Sequence, residues 1–244
     1  MINNKSVVAI IPARGGSKRI HNKNMIDFNG NPLVYWSIIA GLQSKYIDSV
    51  LVSTDDENIA DFSRTLGAHV PFIRPKSISR DSSSTMDVVR HAVNSILKMG
   101  ESYDYILLLQ PTSPLRTYLH IDSAVRFMMK KNANSIIGIT EIEHPVEWSN
   151  ILPKDCSMVN FISNKNDGTR SQDFQKRYRK NGAIYLCRTD LALQHNSLVN
   201  IPGTYGFIMD RFSSVDIDTM DDLFCALMYK KNYDKFMIDL NKKI

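Results

Sequence analysis

The segment IIPARGGSKRIHNKN, residues 10–24, sets four cations, Arg14, Lys18, Arg19 and Lys23, around the pair Gly15–Gly16, directly behind an apolar run. Such a loop suits an anion. Glycine lets the backbone pass close to a ligand and take positive φ, and successive N–H groups form a concave anion site. Arginine offers phosphate a planar fork, lysine a point charge. Arg14, Lys18 and Lys23 are therefore expected to face phosphate oxygens. The loop matches neither GxxxxGK[ST] nor GxGxxG, which argues against a P-loop ATPase and a Rossmann dehydrogenase.

Near the other end, VDIDT (215–219) places Asp216 and Asp218 two residues apart. On extended backbone both carboxylates point to one side and Ile217 to the other, into the core. Paired carboxylates together with phosphate oxygens make a hard oxygen site suited to Mg²⁺. A local alternative stands beside this: Asp218 or Thr219 suits the N-cap of a helix beginning near Met220. Asp221 and Asp222 suit the first turn of that helix through its dipole. The six histidines have no ligand-like spacing, so surface or packing roles are expected for them.

The elements that must position these groups alternate. VVAII (7–11) is a continuous β-branched run, as in a strand covered on both faces. A helix is expected in NPLVYWSIIAGLQ (31–43), a strand in SVLVST (49–54), a helix in DDENIADFSRTLGA (55–68) and a third, short strand in HVPFIRP (69–75). A Ser/Thr-capped helix follows in 82–100 and a fourth strand in YDYILLLQP (103–111). This order predicts an α/β fold with a mainly parallel sheet, with ligands beyond the carboxyl ends of the strands. Three of those ends carry PARGGSK, STDD and QPTSPLR, so one shared cleft is expected. From Ser135 the rhythm changes: SIIGITEIEHP and AIYLC read as strands, with a polar, basic excursion over 143–181 between them that resembles a hairpin-like arm. A strand end and a C-terminal helix are expected in SVDIDTMDDLFCALMYKKN (214–232).

The chain has 244 residues, 43% hydrophobic and 23% charged, enough for one domain with an elaboration. A net charge of +5 favours an anionic ligand such as a nucleotide or an acidic sugar. No basic run interleaved with aromatics points to nucleic acid, and no run approaches a membrane span. Three widely spaced cysteines, Cys156, Cys187 and Cys225, without ligand spacing suggest buried thiols in a reducing cytoplasm.

IPARGGSKRIHNKN resembles the N-terminal signature of acylneuraminate cytidylyltransferases, the CMP-nonulosonic acid synthetases, with their pseudaminic, legionaminic and Kdo relatives. VSTDDENIA, RPKSISRDSSST, LLQPTSPLR, NGAIY and SVDIDTMDDL agree in the same order, so the resemblance runs from Val7 to about Tyr229. It implies a Rossmann-like α/β fold of the nucleotide-diphospho-sugar transferase type with a small dimerisation arm exchanged across a homodimer. It also implies transfer of CMP from CTP to a free, nine-carbon or related 2-keto sugar acid, with Mg²⁺. By the same resemblance Arg14, Gly15, Ser17 and Lys23 cradle the triphosphate and Asn24 lies near the nucleotide. Arg74 lies by the cytosine, Asp81 and Thr85 near base and ribose. Gln110 faces the sugar, Arg170, Arg179 and Asn181 are candidates for its carboxylate, and Asp216 and Asp218 hold the metal.

Several of these have plainer alternatives. Ser83, Ser84 or Thr85 would cap the next helix in any protein, and Arg116 is expected to tie down its own loop rather than meet substrate. Where relatives often read RRQD this chain reads RSQD, so Ser171 replaces a cation. Arg19 in SKRI is closer to the pseudaminic type than to the sialic type. Alternatives to the main reading are a nucleotidyltransferase for a different sugar or sugar 1-phosphate with another NTP, and a non-catalytic nucleotide-binding homologue.

Overall fold

The computed structural model describes residues 1–2, 4–163 and 168–241, with side chains described as far as Asn232. In chain order the strands are β1 (Val7–Pro12), β2 (Asp27–Phe28), β3 (Asn31–Pro32), β4 (Ser49–Ser53), β5 (Tyr105–Leu108), β6 (Ser135–Glu141), β7 (Tyr178–Arg188) and β8 (Thr204–Ile208). The helices are α1 (Leu33–Gln43), α2 (Glu57–Thr65), α3 (Thr85–Lys98), α4 (Tyr118–Lys131), α5 (Thr189–Gln194) and α6 (Met220–Asn241).

Six strands form one mixed sheet in the order β4-β1-β5-β7-β6-β8. β1 pairs in parallel with β4 and β5, β6 pairs in parallel with β8, and β7 runs against both its neighbours. β1 lies at the centre of the parallel half, and its apolar run is buried on both faces as expected. Val7, Ala9 and Ile11 pack with Val34, Ile38, Ile59, Ile121 and Val125 on one side. Val8 and Ile10 pack with Val89, Ala92, Val93 and Ile96 of α3 on the other. That alternation is the period-2 geometry of a strand between two helical layers. Each such fully buried aliphatic side chain contributes about 1.5–3 kcal/mol relative to exposure.

Several local expectations change. HVPFIRP is not a strand: it follows the edge of β4 through isolated parallel bridges, Leu51 to His69 and Thr54 to Ile73. Pro71, between them, has no N–H to donate to a ladder. The excursion departs and returns as an antiparallel pair, Glu141 opposite Tyr178 and Thr140 opposite Arg179, so strand pairing reaches further out than expected. Arg179 and Asn181 thus belong to β7 and not to the excursion. Between the two strands the described chain is irregular and largely exposed, with short 3-10 turns at Val146–Trp148 and Ser171–Asp173; residues 164–167 of the expected arm lie outside the described residues. VDIDT forms no strand, and its Ile217 N–H donates to Thr112 O (2.8 Å). Of the three thiols Cys187 alone is buried, while Cys156 and Cys225 are exposed. Among the described residues no helix is long and apolar enough to cross a membrane.

Candidate active site

The chain runs from β1 to β4 on one side and then crosses to β5 on the other, so the order reverses at β1. Loops leaving adjacent carboxyl ends diverge at such a point and leave a crevice. A cavity of about 660 Å³ opens there. Arg14, Ser17, Lys18, Arg19, Lys23 and Asn24 line it from the loop after β1, and Arg74, Asp81 and Thr85 from the segment before α3. Gln110 and Thr112 line it behind β5, and Asp218 from just before α6. The polar ends of β1 and β5 share this cleft, but no residue of STDD lines it; that strand end supports the cleft from behind, through Asp55.

The glycine pair works differently from expectation. Neither Gly15 nor Gly16 has positive φ; Asn22 is the residue of this loop that does, at 49°. Gly15 is needed for a close approach: a Cβ there would lie 2.6 Å from Asp56 Oδ2. Its N–H donates to Asp55 Oδ1 (3.1 Å) and the Ser17 N–H to Gly15 O (3.0 Å), so both amides are already engaged. Gly15 does not line the cavity. It packs the loop against the Asp55–Asp56 turn, and binding falls to the side chains. Asn24, buried, donates from Nδ2 to Arg14 O (2.8 Å) and so fixes the loop's fold.

Lys23 joins the two ends of the chain. Its Nζ donates to Ile217 O (2.8 Å) and to Asp218 Oδ1 (3.0 Å), and Arg19 Nη1 reaches Asp218 Oδ2 at 3.2 Å. Asp218 is free for this because Thr219 caps α6. Asp222 accepts from the N–H groups of Asp218 and Thr219 and from the Thr219 hydroxyl, while its own N–H donates to Thr219 Oγ1. Asp222 is thus half of a capping box and more than a charge near the dipole. Ile217 is buried against Ile20, Phe28 and Leu33, as the alternation predicted. Asp216 does not line the main cavity; burial raises its pKa, a bond from Thr112 opposes that, and the neighbouring Asp218 charge adds to it.

Sequence reasoning gave Asp55 no role, yet it links two parts of the site. It accepts from Gly15 N–H and lies 3.6 Å from Arg74 Nη2. Arg74 is buried and donates from Nε to Ser79 Oγ (3.0 Å), so its guanidinium is held at the cavity wall. Two acids in STDD were the available signal. Ser84 takes the capping work, with Asp87, leaving Thr85 at the first helical position to face the cavity.

The floor beneath Gln110 is built by Arg116, which the sequence predicted as a structural donor. Arg116 is 1% exposed. Its Nε donates to Ala183 O (3.0 Å), and its Nη2 to Ser37 Oγ (2.6 Å) and Gln110 O (3.2 Å). Burial lowers its pKa to about 9, which leaves it cationic at neutral pH. Asn181 is equally committed: Nδ2 donates to Ser214 Oγ (2.9 Å) and Oδ1 accepts from Ala183 N–H (3.1 Å). It is 1% exposed and off the cavity, so the expected contact with the sugar is replaced by a role in holding the β6/β7 irregularity.

Beside it Gly182 takes φ +78°, and a Cβ there would lie 2.7 Å from Gln110 Oε1 and 3.6 Å from Asp216 Oδ2. Gly182→Ala is expected to cost about 1–2 kcal/mol through left-handed strain, a fall in Tm of about 2–8 °C. It should also swing the Gln110 amide away from β7. Thermal unfolding and a crystal structure of the variant check both parts.

The excursion brings cations of two kinds. Lys176 pairs with Glu141 at 3.0 Å, and Arg177 pairs with Glu147. Among the described residues Arg170 and Arg179 have no carboxylate partner, and Arg179 is close enough to lower the pKa of Asp216. Neither lines the main cavity. Arg179 lies near Asp216, itself off the cavity, whereas the structure does not bring Arg170 to the cleft.

Among the described residues no group of three or more His, Cys, Asp or Glu side chains gathers as a ready cation cage. Asp216 and Asp218 offer two carboxylates whose mutual repulsion contributes to the raised pKa of Asp216. An oxygen-only pair beside a cationic cavity fits a hard divalent ion that keeps water and phosphate oxygens among its ligands.

A family model described as cytidylyltransferase matches residues 8–236. The chain is 35% identical over 228 residues to the pseudaminic acid cytidylyltransferase of Campylobacter jejuni, covering 93% of this chain and 97% of that protein. It is 32% identical over 223 residues to the CMP-N,N'-diacetyllegionaminic acid synthase of Legionella pneumophila, covering 88% and 92%. In fold it is similar to a CMP:2-keto-3-deoxy-manno-octonic acid synthetase solved in complex with CTP, with a TM-score of 0.68 at 17% identity, covering 93% of this chain and 99% of that one.

Proposed function

The chain belongs to the cytidylyltransferase family, and from that premise we propose that it transfers CMP from CTP to the anomeric hydroxyl of a nonulosonic acid, releasing pyrophosphate. The observation that carries this reading is the Lys23 bridge to Ile217 O and Asp218, which sets a basic loop and one carboxylate of the acid pair on one cavity. Pseudaminic acid is the first candidate for the sugar, supported by the 35% identity to the Campylobacter jejuni protein and by Arg19 in SKRI.

The sugar hydroxyl attacks the α-phosphorus in line: its O–H bond breaks with the proton passing to water, an O–P bond forms, and the bond to the β-phosphate oxygen breaks with pyrophosphate leaving. CTP carries roughly four negative charges and the sugar acid one more, so the reactants repel unless cations intervene. Arg14, Lys18 and Lys23 supply them to the triphosphate, with Ser17 as a neutral donor and Asn24 fixing the loop. Arg74 and Thr85 wall the base and ribose end. Gln110 would meet the sugar, and Arg179, near Asp216, would serve its carboxylate. Such fixed positions convert a bimolecular encounter into an aligned one. Asp216 and Asp218 would hold Mg²⁺, which when bound screens the α-phosphate and lowers the pKa of the sugar hydroxyl.

The excursion between β6 and β7 carries exposed Ile151, Leu152, Met158 and Val159. Apolar surface of this kind suits burial against a second copy of the chain, which brings Arg170 toward a partner's site. Incubation of a panel of sugar acids with CTP, GTP or UTP and Mg²⁺, read as pyrophosphate and product mass, tests the reaction. CMP-nonulosonate formed from CTP is expected. Product only from a sugar 1-phosphate or from another NTP, or no pyrophosphate with any substrate, would overturn it.

A further inference from the structure

The basic loop is not an open array of positive charge. Asp81 Oδ1 lies 2.6 Å from Arg14 Nη1 and Asp81 Oδ2 lies 2.7 Å from Lys18 Nζ, one oxygen to each cation. A phosphate group bridging the same two side chains would use its oxygens in the same way. These two cations hold the carboxyl below the usual range, so it is charged at neutral pH. The turn that carries it is fixed from both sides. Ser79 accepts from the buried Arg74, Arg80 N–H donates to Ser83 Oγ, and Ser84 opens α3 through its capping box. Asp81 is thereby presented to the loop across the cavity it lines.

We propose that Asp81 is a specificity-determining residue that competes with phosphate for Arg14 and Lys18, so that the site rejects small anions and lets pyrophosphate go. The inference rests on the nucleotidyl-transfer reading above and names the regulation of that same cavity. An anion entering the loop must displace the carboxylate. The two pairs are exposed, and such pairs are individually weak. A nucleoside triphosphate, which also engages the Arg74 and Thr85 wall and brings its own cation, overcomes them. Inorganic phosphate or departing pyrophosphate has only the loop cations to hold it, and Asp81 takes them back. Asp218 makes a similar double contact with Lys23 and Arg19, but it belongs to the acid pair, so the selecting role falls to Asp81.

A direct contact of Asp81 with base or ribose would give the opposite sign, which makes the matter testable. The experiment is calorimetric binding of sodium pyrophosphate, and separately of CTP, to the full chain and to its Asp81→Asn and Asp81→Glu variants at low ionic strength. No turnover is needed, so failure of the proposed reaction is read elsewhere, in the sugar-acid panel. Asp81→Asn keeps the size of an exposed side chain and should fold normally. Its pyrophosphate affinity is expected to rise about tenfold, the scale of two exposed ion pairs, with CTP binding no weaker. Asp81→Glu is expected to stay near the parent. Unchanged or weaker pyrophosphate binding in Asp81→Asn, weaker CTP binding in that variant, or equal tightening in Asp81→Glu would each overturn the proposal.

Discussion

Asp218→Asn is expected to lower kcat/KM by about 10²-fold or more, the scale of removing one preorganised electrostatic stabiliser, with little change in unfolding. The two halves of that statement have separate physical grounds. The carboxylate is half exposed and its partners Lys23 and Arg19 are cations at the cavity. Exposed pairs of this kind contribute about 0–1 kcal/mol to stability. The amide keeps an acceptor for Lys23, and that lysine keeps its bond to Ile217 O. The α6 cap is untouched, because Thr219 and Asp222 form it. What disappears is one of the two negative charges that would hold Mg²⁺ beside the phosphates. The half-saturating Mg²⁺ concentration should therefore rise with the fall in rate, and Asp216→Asn should share both effects. A variant turning over normally at limiting Mg²⁺ would contradict the assignment.

The second large effect is structural. Arg116→Ala is expected to destabilise the fold by about 3–5 kcal/mol, through the cavity left by a large buried side chain and the buried acceptors that lose a charged donor. Ser37 Oγ of α1 and Ala183 O of β7 lose the guanidinium donor at once, and the Gln110 carbonyl after β5 loses one of its donors, keeping the Ser37 hydroxyl and Ser113 N–H. A cavity the size of a buried arginine side chain adds to the cost. For a chain of this length the shift in Tm is about 6–20 °C, against a typical total stability of about 5–15 kcal/mol. Chemical denaturation checks the size. Arg116→Lys should recover only part of the loss, because an ammonium cannot span the same three acceptors. Denaturation unchanged by Arg116→Ala would mean that Ser37 Oγ and Ser113 N–H suffice to hold Gln110.

The parallel half of the sheet was legible because its physics is local. A short apolar run rich in β-branched residues and bounded by turn signals reads as a doubly covered strand, and the Asp56 and Ser84 caps mark where the chain turns into helix. The excursion was visible as lost periodicity, and its return beside its departure follows as an antiparallel pair. The site was partly legible for the same reason: charges and acids at strand ends have little else to do. Other features depend on partners that sequence spacing does not show. Gly15 reads as a phosphate-loop glycine, but its missing Cβ makes room for Asp56. Asn181 has the chemistry of a sugar ligand, but a backbone irregularity uses its whole amide. β8 has no buried face to give it an alternating pattern and, among the described residues, is an edge strand paired with β6. α4 did carry a usable signal in Ile121, Ala124, Val125 and Met128, spaced as one helical face.

The most direct measurement is a crystal structure of the protein with CTP and Mg²⁺. The account predicts the triphosphate in the cavity at the carboxyl end of β1, its oxygens on Arg14, Lys18 and Lys23, the ion between those oxygens and Asp216 and Asp218, and Asp81 turned away from the loop. A triphosphate bound elsewhere, or one reached by the basic loop but not by the acid pair, would contradict it.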